Sequence, residues 1–100
     1  MANELNFKQI LQILQQQLPA LAKQYHVESL GVFGSYVRNE QKADSDLDLL
    51  VTFSQTPGLL RFIELENQLS DLLNVKVDLV MKDALKPNIG KHILQEVVPV

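Results

Sequence analysis

The 100-residue sequence contains no cysteine. Disulfide frameworks, thiolate zinc sites and cysteine nucleophiles are therefore excluded. It also lacks a basic excess: nine Lys+Arg stand against twelve Asp+Glu, a net charge of −3. A generic polyanion binder normally carries the opposite balance, so no autonomous nucleic-acid binding is expected. That balance leaves room for a site that meets a phosphate through a metal ion. Uninterrupted apolar runs are only a few residues long, so neither a bilayer span nor a membrane partner is expected. The opening MANELNFKQ lacks the basic start and apolar core of a signal peptide, which makes a cytoplasmic location the expectation. No Ser/His/Asp arrangement for a covalent mechanism is visible.

What is present is a core. Residues of the AVILMFWYC class make up 46% of the chain, and the length suits one domain over residues 1–100. The charges are unevenly placed. Four of the twelve acids (Glu40, Asp44, Asp46 and Asp48) fall within nine residues, where the only base is Lys42. Taken alone, such a run reads as a solvated acidic loop.

Periodicity orders the elements. Phe7, Ile10, Leu11, Leu14 and Leu18 share a helical face. Asn6 and Gln9 are placed for a capping box, and Leu5 and Ile10 for a hydrophobic staple. Pro19 predicts a helix over 7–17, a kink, and a short helix over 19–25. A buried strand is expected at 29–34, and an alternating strand at 46–53. Thr56-Pro57-Gly58 then opens an amphipathic helix to about Asn74, marked by Leu59, Phe62, Ile63, Leu69, Leu72 and Leu73. A third strand is expected at 75–81 and a last helix at 89–97. The order predicts a small α/β domain with helices packed on one sheet.

Three aspartates fall on polar strand faces. Asp46 and Asp48 lie two residues apart, so they point the same way with Cα atoms roughly 6–7 Å apart. Two such carboxylates can share a hard cation. Asp78 joins them if the third strand pairs beside the second. Carboxylates crowded at a buried strand end cost several kcal/mol without a counter-charge. A metal would relieve this better than Lys42 or Lys76. Gly34-Ser35 ends the first strand. Gly permits close backbone approach to a ligand, and Ser adds a hydroxyl.

Gly34-Ser35-Tyr36-Val37-Arg38, seven residues, then Asp46-Leu47-Asp48 and an apolar run form the pattern G-S-x-x-R-x7-D-x-D. This resembles the signature of the DNA polymerase β-like nucleotidyltransferase superfamily, and within it the minimal nucleotidyltransferase (MNT) antitoxins that act beside HEPN-family toxins. The likeness runs over roughly 7–99 and includes VKVDLVMKDALKP and the ending EVVPV. The resemblance implies a nucleotidyltransferase-type mixed sheet of three or more strands. It implies that Asp46, Asp48 and Asp78 hold two Mg²⁺ ions and perform catalysis, with Asp78 helping to deprotonate the attacking hydroxyl. Gly34 and Ser35 would hold the β- and γ-phosphates of a nucleoside triphosphate. Arg38 would brace the loop or contact phosphate, or else pair with Glu40 or Asp44. Tyr36 and Val37 are expected to pack the short helix.

The implied reaction moves AMP from ATP to a Tyr hydroxyl of a HEPN toxin partner and so silences it. The alternatives are a weak or inactive module that neutralises by contact, and nucleotidyl transfer to a small molecule or an RNA end. One hundred residues suit a catalytic core working with a second protein. The family commonly has Gly after the Arg, where this chain has Asn39. Asn tolerates left-handed backbone, so the turn is expected to survive. His26 and His92 match no part of the pattern and are expected at the surface or at helix ends.

Overall fold

The computed structural model describes residues 6–42 and 44–100. The chain runs through helix α1 (Phe7–Tyr25), strand β1 (Val27–Phe33), short helix α2 (Ser35–Arg38) and strand β2 (Leu47–Phe53). Helix α3 (Leu59–Leu73), strand β3 (Val77–Met81), helix α4 (Pro87–Glu96) and strand β4 (Val98–Pro99) follow. The strands form one mixed sheet in the order β3-β2-β1-β4. β1 is antiparallel to β2 and β4, while β2 and β3 run parallel. The parallel pair needs a crossover, which α3 supplies.

The predicted elements stand, with corrections to their bounds and faces and one added strand. The first helix is continuous through Pro19. Both Pro19 and Gln15, whose carbonyl loses its amide partner, are exposed, so water can satisfy that group. Leu14 and Leu21, fully buried on either side, hold the helix to the core. On α3 the buried stripe is Leu65, Leu69 and Leu73. Leu59, Ile63 and Leu72 are exposed instead, because the stripe follows i, i+4, i+8 spacing. β3 begins at Val77 rather than 75, since Asn74 ends α3 in left-handed geometry and Val75 N–H still bonds the Ser70 carbonyl. β1 starts two residues early, with an irregularity between Val27 and Ser29, and stops before Gly34. The strand β4 was not expected at all.

Local signals explain the ends. The Asn6 side chain accepts from Gln9 N–H at 2.8 Å, and Gln9 returns a bond to Asn6 N–H at 2.9 Å. Leu5, the other half of the expected staple, lies outside the described residues. His26 caps α1 with φ 61°, so one histidine is a helix-end residue as expected. The core is built from Ile10, Leu14, Leu21 and Tyr25 of α1 and the α3 stripe, against Leu30, Val32, Leu47, Leu49, Val51, Val77 and Leu79. Alternation leaves Gly31, Phe33, Asp48, Leu50 and Asp78 on the other face. The two long helices cover the core face. The α4–β4 turn reaches the second face, where a Cβ on Gly31 would meet Val97 Cγ2.

α3 also closes the β3 edge. Ser70 Oγ accepts from Val77 N–H at 3.0 Å, and Glu66 Oε2 accepts from Leu79 N–H at 2.9 Å. Removing one acceptor from a part-buried amide costs its desolvation. Glu66→Ala is therefore expected to lower stability by about 1–3 kcal/mol in a urea titration, and Glu66→Gln by distinctly less.

Candidate active site

The register brings three strand ends to one place. Phe33 pairs with Asp48 across β1 and β2, and Asp48 pairs with Asp78 across β2 and β3. Gly34 follows Phe33 directly. Asp46 lies one residue before β2, not on it. Leu47 N–H bonds the Lys76 carbonyl at 2.8 Å, which ties the start of β2 to the approach to β3. The expected meeting of Asp78 with the other two aspartates is therefore observed on the backbone.

Gly34 is held in a conformation reserved for glycine, with φ 83° and ψ −152°. Its carbonyl accepts from Val37 and Arg38 N–H and opens α2. A Cβ at this position would overlap Asp48 Oδ2 and crowd Asp48 Cγ at 3.1 Å. Glycine is thus required twice, by its own backbone and by the aspartate lying against it. Ser35, half-buried, begins α2, and its hydroxyl has no hydrogen-bond partner among the described residues. Asn39 ends α2 with φ 58°, so asparagine serves where the family pattern has glycine. Tyr36 and Val37 pack against the core.

Burial and the neighbouring Asp78 and Asp46 push the Asp48 carboxyl up from its ordinary 3.8 to about 6. Arg38 opposes this only in part. Lys76 Nζ stands 4.0 Å from Asp46 but is largely exposed, a weak counter-charge. All three carboxylates are hard oxygen donors of the kind Mg²⁺ takes. Among the described residues no group of three or more His, Asp or Glu side chains closes into a metal cage. Mg²⁺ commonly uses only one or two carboxylates, with waters and substrate phosphates completing its shell. The crowded, incompletely balanced set fits that ion.

Arg38 does pair with Glu40, at 2.6 Å, but its second partner is Glu96 of α4 at 2.5 Å, not Asp44. The other Glu96 oxygen accepts from Gly34 N–H at 2.9 Å. These bonds hold the Glu96 carboxyl below its usual range, the Gly34 amide contributing most. A cavity of about 530 Å³ opens beside them, lined by Phe33, Gly34, Arg38, Ile89, His92, Ile93 and Glu96 itself. His92 is exposed on α4, at the surface as expected, and lines this cavity; sequence reasoning missed the role of Glu96. Nothing in the G-S-x-x-R pattern names a partner 58 residues downstream; the family-like ending EVVPV, which begins with Glu96, was the only signal.

Two tests follow from this geometry. Gly34→Ala is expected to lose about 1–3 kcal/mol of stability, and adding Asp48→Ala to recover part of that loss, because only the φ strain then remains. Thermal melts of the two single variants and the double variant measure the coupling. Second, the native state holds the Asp48 proton more tightly than the unfolded chain. Its stabilising contribution is full below about pH 4 and is lost as pH rises through 6. Asp48→Asn should therefore raise stability at pH 7 without metal by about 1–2 kcal/mol, after screening of a half-buried group, and flatten this part of the pH profile.

Residues 8–100 match the model of the nucleotidyltransferase domain. The protein adenylyltransferase MntA of Thermococcus cleftensis is 51% identical over 94 residues, spanning 94% of this chain and 95% of that protein. A solved structure assigned as a minimal nucleotidyltransferase superposes with TM-score 0.81 at 32% identity, over 99% of this chain and 100% of that one. The Shewanella oneidensis complex of a tri-AMPylated HEPN toxin with its MNT antitoxin aligns with TM-score 0.60 at 21% identity. That match covers 92% of this chain and 66% of that one, and it speaks for the fold alone.

Proposed function

The chain belongs to the nucleotidyltransferase domain family, and from that premise we propose that it transfers AMP from ATP to a tyrosine hydroxyl of a HEPN-family toxin partner and thereby neutralises the partner. The observation that carries the reading is the register of Asp48 beside Asp78, with Gly34 pressed on Asp48. It brings the carboxylate edge and the glycine turn within one side chain of each other, which supports a cation held beside a phosphate. The adenylyltransferase name of the 51% identical relative supports the reaction. The tri-AMPylated HEPN toxin of the Shewanella oneidensis complex gives the form of the acceptor tested below; at 21% identity that likeness is one of fold.

In this reading Asp46 and Asp48 hold two Mg²⁺ ions, and Asp78 completes the set. Bound Mg²⁺ supplies charge neutralisation of the triphosphate and of the attacking and leaving oxygens. Ser35 Oγ and the Gly34–Ser35 turn orient the β- and γ-phosphates. The acceptor hydroxyl attacks the α-phosphorus, the bond to the bridging oxygen of the β-phosphate breaks, and pyrophosphate leaves. Asp78, the most exposed of the three carboxylates, takes the hydroxyl proton. Arg38 braces the turn through its carboxylate partners. No covalent enzyme intermediate is needed.

Among the described residues no helix is long and apolar enough to cross a membrane. Ile89 and Leu94 are exposed on α4, and Leu59, Leu60 and Ile63 on α3, which gives a partner protein apolar surface to cover.

The test combines the chain, a HEPN-type partner, Mg²⁺ and ATP labelled at the α-phosphate. Label is expected on the partner, with an intact-mass gain of whole AMP units. Chelation of Mg²⁺ should stop transfer, and Asp46→Ala with Asp48→Ala should lower it by at least about a hundredfold. Neutralisation that survives the double variant with no label on the partner would replace this reading with neutralisation by contact.

A further inference from the structure

Glu96 is the last residue of α4, yet both of its carboxylate oxygens are committed to the turn after β1. One takes the Gly34 amide at 2.9 Å; the other takes Arg38 Nη1 at 2.5 Å. Gly34 is thereby gripped from two directions. Its amide is fixed by Glu96, while its α-carbon lies against Asp48. Arg38 is gripped as well, between Glu96 and Glu40. A guanidinium carries five donors, more than these two carboxylates use. The Glu96 side chain is 23% exposed, less than half the exposure of Arg38 or Glu40, so it is the fixed point of this network. Charge-assisted bonds of this kind are stronger than neutral ones.

We propose that Glu96 is a positioning residue for nucleotide binding: by holding the Gly34 amide and Arg38 together it sets the Gly34–Ser35 turn in the shape that receives a triphosphate. This rests on the adenylyl-transfer reading and adds a residue from the far end of the chain to it. Both Glu96 oxygens are bonded within the protein, to Gly34 and to Arg38. It acts through the peptide plane of Gly34 and the side chain of Arg38. The carboxylate's charge alone would repel a triphosphate, so positioning and electrostatics predict opposite changes when it is removed.

The experiment measures AMP transfer by the full chain with its partner, as a function of ATP concentration, for wild type, Glu96→Ala and Glu96→Gln. Glu96→Ala is expected to raise KM for ATP about tenfold while kcat falls less than about threefold. Glu96→Gln keeps an acceptor for the Gly34 amide and should recover most of that loss. Circular dichroism of both variants reports folding. A KM that falls in Glu96→Ala overturns the proposal and makes Glu96 a competitor of phosphate. Unchanged KM with a lowered melting temperature also overturns it, leaving a purely structural contact. If wild type transfers no AMP, the proposed function fails separately. Glu96 is then judged by calorimetric binding of Mg–ATP, where Glu96→Ala must weaken Kd about tenfold for the inference to survive.

Discussion

The approach of the Gly34 backbone to the Asp48 carboxylate is the constraint on which the site depends. A side chain at the end of β1 would have to displace Asp48 Oδ2, and the backbone there, at φ 83°, already favours glycine. The contact fixes how closely the turn into α2 can stand over β2. Since Asp48 is in register with both Phe33 and Asp78, the same contact locks three strand ends together. The core on the opposite face, from Leu47 and Leu49 to the α1 and α3 stripes, keeps that register from slipping, because a slip of one residue would carry every buried side chain to the wrong face.

That geometry has an electrostatic consequence. Asp48 is half-buried against glycine and faces two more aspartates, so its carboxyl resists ionisation until about pH 6. Once ionised, the group is held there at a cost in stability, which protonation or a ligand of opposite charge relieves. The acidic excess noted in the composition is therefore two different things. Asp44 and Glu40 are solvated at the surface, Glu40 paired with Arg38, while Asp46, Asp48 and Asp78 gather at neighbouring strand ends.

Much of this was legible in the sequence, for identifiable reasons. The capping box of Asn6 and Gln9, the punctuation at Thr56-Pro57-Gly58 and the left-handed Asn39 are local, and local chemistry can be read without tertiary knowledge. Asp46 and Asp48 were legible from alternation, and Asp78 from the assumption that β3 lies beside β2. What could not be read depends on packing between distant segments. Pro19 would break an isolated helix; Leu14 and Leu21 in the core carry α1 past it. The face of α3 was read too wide, with Leu69, Leu73 and Phe62 right, because leucines occur on both sides of that helix and only the sheet beneath selects Leu65, Leu69 and Leu73. Glu96 and β4 belong to the last few residues and acquire meaning only when the chain returns to β1.

The sheet has two outer edges, and at each the chain takes some of the outward backbone groups with its own atoms. At β3, Ser70 and Glu66 take the amides of Val77 and Leu79 that would otherwise point outward. At β4 the Val100 amide turns inward to the Leu30 carbonyl, and Pro99 has no amide to offer. Backbone pairing is the least selective way for one protein to join another, and open edges invite it. Where these amides are taken, the sheet cannot add a strand, and association there rests on side chains.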